Sequence, residues 1–315
     1  MSMSVSQTNT SSVPMQTMGW NALPEWYRIP DSAPSLLEAQ AYCERLAKTH
    51  YENFSVATWF LPPKLRRHFY NVYAYCRISD DLGDEVGNPQ QSLELLDQWE
   101  AELSACYAGS PRHPVFVALA ETVRQFGIPQ HEFSDLLIAF RQDQTVTRFE
   151  TFNDVLGYCR YSANPVGHLV LYLGGYSDAE RQQLSDYTCT ALQLANFWQD
   201  IVVDYGKGRI YLPLEDLRRF GVTGENITQL RATPQFIELM KFEVQRAREW
   251  FERGLPLVKK IDRELAIDIE LFSRGGQEIL NAIERHGFDV LRQRPVISKP
   301  RKLLLVARAA AGKLL

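Results

Sequence analysis

Two groups of acidic side chains in this sequence have the types and spacing needed to hold a divalent cation against a phosphate. The first is Asp80-Asp81-Leu82-Gly83-Asp84-Glu85. On a helix, Asp80 and Asp84 share one face and stand about 6 Å apart along the axis. Like charges so placed, near a helix C-terminus, oppose both each other and the macrodipole, and a cation between them removes the conflict. The second group is Asn196, Asp200 and Asp204 within QLANFWQDIVVD, at i, i+4 and i+8, a stripe about 12 Å long on a helix. Gln193 extends the same face. The remaining faces carry Leu194, Ala195, Phe197, Trp198, Ile201, Val202 and Val203, so this helix is expected to be buried and its carboxylates to need compensation. Oxygen ligands at these spacings suit Mg²⁺, which keeps several waters and bridges carboxylates to substrate phosphates. If the two stripes face each other, Asp80, Asp84, Asn196, Asp200 and Asp204 form one candidate metal site, where the cation acts as a Lewis acid on a leaving diphosphate. Arg77 shares the face of Asp80. Lys207 and Arg209 follow Asp204 in a Gly-containing loop able to close over the site, and all three are candidate phosphate ligands.

Departure of a diphosphate from carbon leaves a carbocation, which calls for a dry pocket with aromatic walls. Phe54, Phe69, Tyr73, Tyr75, Tyr161 and Phe197 are the candidates.

The elements that must position these residues read almost entirely as helix. Apolar residues three and four apart predict helices over 36–50, from about Lys64 to Asp84, through SLELLDQWEAELSACY, and over 114–126 and 129–140. One helix is expected from Thr151 to Tyr172 and one long helix from Asp178 to Tyr205. GKGRIYLPLEDLRRFGV reads as a loop leading into a short helix near Pro213, and further helices are expected over 233–255, 256–264, 266–286 and at the C-terminus. Alternating β-branched patterns are nearly absent, no repeat is visible, and no Pro/Gly/Ser linker divides the chain. The expectation is an all-α bundle forming one domain over residues 34–315, preceded by a disordered polar tail over 1–33.

Composition sets the outer limits. Across 315 residues, 45% are hydrophobic and 23% charged, which suits a globular protein with a sizeable core. The net charge of −4 gives no global pull toward nucleic acid, so an anionic ligand must be held locally. The five cysteines are scattered and form no C-x-x-C pair, which argues against a disulfide framework or zinc ribbon and fits a reducing cytoplasm. The first residues lack the pattern of a signal peptide, and no apolar run reaches the length of a membrane span. Near the C-terminus, Lys299, Arg301, Lys302 and Arg308 flank Leu and Ala, which predicts a basic amphipathic helix. Docking on its own domain is the favoured reading, and peripheral contact with the inner face of the membrane is the alternative.

The segments HYENFSVATWFLPPKLRR, VYAYCRISDDLGDE, YCRYSANPVG, LQLANFWQDIVVDYGKGRIYLP and ILNAIERHGFDVLRQRPVISKPRKL together resemble the squalene/phytoene synthase family, over roughly residues 36–310. The resemblance implies the all-α isoprenoid synthase fold with a central cavity. It also implies a magnesium–diphosphate cluster on Asp80, Asp84, Asp200 and Asp204, supported by Asn196 and Gln193. His50 and Arg77 would lie at the phosphate end and Tyr73 near the reacting carbons.

Several positions depart from the family pattern. The serine-rich phosphate segment reads His50-Tyr51-Glu52-Asn53-Phe54. Ser162-Ala163-Asn164-Pro165 replaces Val-Ala-Gly, Gln199 stands where an Arg usually precedes the third aspartate, and Gly276 stands at a frequent Tyr. With AFRQDQTVTRF at 139–149, these changes resemble the hopanoid-pathway branch, whose hydroxysqualene synthase takes presqualene diphosphate and water to hydroxysqualene and diphosphate. Asn164 is the candidate for positioning that water, and NADPH is not expected. The nearest alternative condenses two farnesyl diphosphates, as a presqualene diphosphate synthase or squalene synthase. A di-iron carboxylate bundle would need Glu-x-x-His pairs, which are missing, and a non-catalytic helical scaffold would not explain an Asn-Asp-Asp stripe. The resemblance further implies transient contact with upstream and downstream pathway enzymes.

Overall fold

Proline and short polar residues set the helix starts. Asn88, Thr151, Asp178, Thr233 and Asp262 each accept a backbone N–H at an N-cap, and Thr151 with Asp154 completes a capping box. The computed structural model describes residues 27–49 and 63–314. In chain order these form α1 (Leu36–Thr49), α2 (Pro63–Asp84), α3 (Pro89–Ala108), α4 (Pro114–Phe126), α5 (His131–Gln142), α6 (Phe152–Ser162), α7 (Asn164–Leu173), α8 (Ala179–Gln199) and α9 (Ile201–Gly206). There follow α10 (Leu214–Phe220), α11 (Gly224–Thr228), α12 (Pro234–Gly254), a 3₁₀ turn (Leu255–Lys259), α13 (Arg263–Arg285) and α14 (Lys299–Leu314). No strand occurs among the described residues, where an isolated bridge between Arg148 and Ile210 is the only β pairing. The fold is all-α, as expected.

Two expected helices are each divided. Thr151–Tyr172 breaks at Ala163 (φ −124°, ψ −46°). Pro165 follows closely, lacks an N–H, and cannot continue the hydrogen-bond ladder. Asp178–Tyr205 breaks at Asp200 (φ −107°, ψ 16°), although Asp200 N–H still donates to Asn196 O (2.9 Å) and Asp204 N–H to Asp200 O (2.8 Å). The second acidic stripe therefore straddles a kink rather than running along one straight helix. Folded structure also begins before residue 34: Tyr27 packs on the core, and its hydroxyl donates to Asp81 Oδ2 at 2.9 Å. The part of the expected tail over 1–26 lies outside the described residues, as does the segment with His50 and Phe54.

Apolar burial is organised around two centres. One surrounds α2, which packs on α1, α3, α4 and α5, and holds Tyr75, Trp99, Phe116 and Phe133. Tyr75 donates to Phe133 O (2.8 Å), and Trp99 Nε1 donates to Ser79 Oγ (2.9 Å). The other surrounds α8, which packs on α7, α12 and α13, and holds Trp198, Phe236 and Phe251. Each acidic group thus rides on the central helix of a different apolar centre.

The approach of α12 to α8 depends on Gly254. A Cβ there would stand 3.0 Å from Thr188 N and 3.2 Å from Leu184 O, backbone atoms of α8 that cannot yield as a side chain would. Gly254→Ala gains helix propensity but forces these helices apart. The expected net loss is about 1–3 kcal/mol in urea unfolding. An unchanged midpoint would mean that the helices slide without cost.

Candidate active site

The C-terminal end of α2 presents Asp80 and Asp84 on one side and Asp81 on another. Asp81 is buried, takes the Tyr27 hydroxyl, and is gripped by Arg77, which reaches Asp80 only at 3.6 Å. Asp81 is therefore a structural anchor, and Arg77 spends its strongest contact on it. Asp84 makes the decisive connection. Lys207 Nζ donates to its Oδ2 (2.7 Å) and Arg209 Nη1 to its Oδ1 (3.0 Å). Those cations follow α9, so the two acidic groups do face each other, joined by their own loop.

Local structure explains how that loop is aimed. Gly208 turns at φ +81°, where a side chain would be strained, and Arg209 N–H returns to Asp204 O (2.9 Å). The loop then pairs with residues 147–150: Ile210 N–H donates to Thr147 O (3.0 Å), Leu214 N–H to Phe149 O (2.9 Å), and Arg148 to Gly208 O (2.6 Å). Arg209 Nη2 also donates to Asp143 O (3.3 Å).

Electrostatics mark these groups as one neighbourhood. Burial pushes Asp204 up to about 7, aided by the charge of Asp200 and opposed by Lys207 and Arg209; its Oδ2 is buried with no partner. Desolvation, then the charge of Asp84, lifts Asp80 to about 6, although 48% of its side chain is open to solvent and water softens that shift. Asp84 goes the other way: desolvation is its largest single influence, but the Lys207 and Arg209 bonds outweigh it and hold the carboxyl below its ordinary range. Asp84 thus keeps its charge against two cations, whereas Asp204, with no hydrogen-bonded cation among the described residues, holds its proton more tightly.

Three contributors escaped sequence reasoning. Asp143 is buried, accepts the Tyr158 hydroxyl (2.9 Å), and is raised to about 7 by burial, with Arg209 and Tyr158 opposing and Asp84 and Asp80 assisting. Tyr211 stacks on Phe197 (centroids 3.8 Å apart, planes 8° apart) and lies against Tyr158 and Phe149. Arg294 grips Asp200, with Nη2 to Oδ2 at 3.0 Å, and also donates to Gln199 Oε1 (3.3 Å). A guanidinium 94 residues away therefore stands beside the third aspartate, where Gln199 replaces the adjacent Arg. Asp143 and Arg294 both lie in segments that carry the family resemblance, but only the folded chain brings them to the carboxylates.

Other expected residues are less central. Asn196 is exposed and Gln193 half-buried, so the stripe on α8 is not the buried one expected from its apolar flanks. Asn164 accepts from Thr190 Oγ1 (3.1 Å), which ties α7 to α8 about 15 Å before Asp200 along the helix. Tyr73 is half-buried, and burial raises its hydroxyl, with Arg77 opposing and Asp81 and Asp80 assisting. Phe69 and Tyr75 are core rather than cavity wall. A cleft of about 420 Å³ opens at the other end of α2, beside Lys64, Leu65, Phe126, Leu173 and Leu265, and not at the carboxylates. Among the described residues, no three His, Cys, Asp or Glu groups are gathered closely enough to form a metal centre.

The family model for squalene/phytoene synthase matches residues 47–301. The chain belongs to that family. It is 30% identical to the 15-cis-phytoene synthase of Synechocystis sp. over 289 residues, 87% of this chain and 86% of that protein. Among solved structures, squalene synthase HpnC from Alicyclobacillus acidocaldarius is 45% identical, with a TM-score of 0.78, covering 80% of this chain and 95% of that one. A ligand-bound dehydrosqualene synthase is 29% identical, with a TM-score of 0.79, covering 88% and 96%. The family match includes both acidic groups and Arg294, so the convergence seen between α2, α9 and the 292–296 segment lies within the family's own extent.

Proposed function

We propose that the carboxylates of α2 and of the α8–α9 kink bind a prenyl diphosphate, and that the chain converts presqualene diphosphate and water to hydroxysqualene and diphosphate. The observation that carries the binding site is the clasp of Lys207 and Arg209 on Asp84, with Asp80 and Asp204 beside it held above their ordinary carboxyl range by burial. The 45% identity to a squalene synthase, HpnC, supports a C30 prenyl substrate, and the choice of water capture rests on the departures at Ser162–Pro165, Gln199 and Gly276.

Asp80, Asp84, Asn196, Asp200 and Asp204 supply only oxygen donors, and the buried Asp204 Oδ2 has no hydrogen-bond partner among the described residues, so the donor chemistry fits Mg²⁺, although the carboxylates are not gathered there into a ready-made centre. Bound there, Mg²⁺ would supply Lewis-acid stabilisation of the leaving diphosphate. Lys207, Arg209 and Arg294 lie close enough to exchange their carboxylate partners for diphosphate oxygens, with Arg77, Gln193 and His50 assigned to the same end. The C–O bond breaks with its electron pair leaving on diphosphate. The cation is assigned to the side of Tyr73, whose half-buried ring can offer a face to positive charge. A cyclopropane C–C bond then opens as water forms the new C–O bond, and the proton that water loses passes to the released diphosphate. Asn164 is assigned to orient that water, and full alcohol yield from Asn164→Ala would remove it from the mechanism. No step requires NADPH.

The relatives named as phytoene synthases favour a second reading, in which the same site condenses two prenyl diphosphates. One experiment separates the two. Purified protein with Mg²⁺ and no NADPH is given presqualene diphosphate or farnesyl diphosphate, and products are read by mass. A C30 alcohol from presqualene diphosphate, abolished by EDTA, is expected; presqualene diphosphate formed from farnesyl diphosphate would establish condensation instead. Contact with neighbouring pathway enzymes follows from the insolubility of such products and is part of the same proposal. Among the described residues, no helix is long and apolar enough to cross a membrane.

A further inference from the structure

Charge is segregated along this chain. From Val290 to Leu315 there are seven Lys and Arg and no Asp or Glu, whereas the remaining 289 residues hold 27 basic and 38 acidic side chains. A +7 end is thus attached to a −11 body. Three of the seven are neutralised in place: Arg292 by Asp289 (3.3 Å), Arg294 by Asp200, and Arg301 by Glu278 (2.8 Å). The Arg301–Glu278 pair fixes one side of α14 on α13. Lys299, Lys302 and Leu303 lie on the other side by helical register, all exposed, and the two lysines make no ion pair among the described residues. Leu303 is 71% exposed and Leu304 50%. Val296, 54% exposed, is two residues from Arg294, so the surface runs on to the rim of the carboxylate site, where Val203 is also exposed.

We propose that this face of α14, with Val296, seats on an anionic lipid bilayer while its opposite face stays docked on α13. Lys299 and Lys302 are compact ammonium groups that meet a diffuse anionic surface without needing the planar, paired geometry of a guanidinium. Their neighbours are aliphatic side chains that gain by leaving water, and the two attractions together give the kind of reversible association that neither supplies alone. A bilayer offers both at once, which an acidic protein surface does not. The placement would turn the rim of the site toward the phase that holds long prenyl chains. The binding itself does not depend on the proposed reaction.

The test uses the whole chain without substrate, co-sedimented with phosphatidylcholine vesicles, with or without about 30% phosphatidylglycerol, at low and high salt. Binding at least tenfold tighter to the anionic vesicles, lost at about 0.5 M NaCl, is expected. Lys299→Gln with Lys302→Gln is expected to weaken it roughly 25-fold, and Leu303→Ser roughly tenfold. Unchanged circular dichroism in both variants separates loss of binding from loss of fold. Equal binding to both vesicle types, or wild-type binding by the double lysine variant, would overturn the proposal. So would competition by polyglutamate combined with indifference to Leu303→Ser, which would assign the face to an acidic macromolecule instead.

Discussion

Asp204→Asn is expected to lower turnover of a prenyl diphosphate by about a thousandfold, and at the same time to make the metal-free protein harder to unfold. The two effects share one cause. Asp204 is an acid whose folded pKa is raised to about 7 by burial, then by Asp200, and its Oδ2 has no partner. An acid with a raised folded pKa weakens the fold once pH climbs above its ordinary value, and the weakening is complete above the folded value. Asparagine removes that charge. A gain in melting temperature of about 2–4 °C at pH 8 is expected, shrinking toward pH 5, where the wild-type carboxyl is itself protonated. Mg²⁺ with inorganic diphosphate should reverse the order by stabilising the wild type alone. Thermal melts at the two pH values check this. A variant less stable than wild type at pH 8 would show that Asp204 is a structural ion-pair residue rather than a site held ready for a cation.

The second large effect lies away from the carboxylates. His168 on α7 joins Glu132 on α5, Nδ1 to Oε2 at 2.9 Å, and Asp186 on α8, Nε2 to Oδ1 at 2.7 Å. Glu132 is buried, with 3% of its side chain exposed. Desolvation is the largest influence on the imidazole and favours its neutral form, but the bonds from Asp186 and Glu132 outweigh it and lift the group to about 9. The imidazolium therefore donates from both nitrogens. His168→Leu leaves Glu132 buried without its cation, and a loss of about 3 kcal/mol is expected, seen as a drop of roughly 4–6 °C in melting temperature at pH 6. The sign with pH follows from the raised value. The contribution is whole below the ordinary imidazole range near 6.5 and fades as pH rises through 9. The gap between wild type and variant should accordingly narrow by pH 10. A gap of constant size would mean that His168 acts through packing alone.

Much of this was readable because it is local. Pro114 and Gly127 bracket α4 at the residues expected, since proline favours a first turn and Gly127 ends the helix at φ +63°. The i, i+4 placement of Asp80 and Asp84, and the proximity of Lys207 and Arg209 to the second stripe, also follow from local geometry. The kink at Asp200 was not readable, because the hydrogen-bond register continues through it and the apolar pattern does not pause. Arg294 and Asp143 were unreadable for a different reason: each reaches the site across a long stretch of chain. Gly276 shows a third limit. A Cβ there would meet Phe251 Cζ at 2.5 Å and Leu192 Cδ2 at 2.7 Å, so the room a Tyr would need is already filled by a ring from α12. The sequence displays the missing Tyr but not the ring that makes its absence necessary.

The span of the ionic contacts has a consequence for the order in which the protein is made. Asp84 meets Lys207 across 123 residues, and Asp200 meets Arg294 across 94. Chains emerge from the ribosome N-terminus first, and distant pairings form late. The apolar centre around α2 can condense while the rest is still being translated, but Asp200 finds its guanidinium only after Arg294 has been made. A nascent chain that has not yet reached Arg294 carries Asp200 without its guanidinium, so this ionic contact closes after the apolar centre around α2 has had the chance to form.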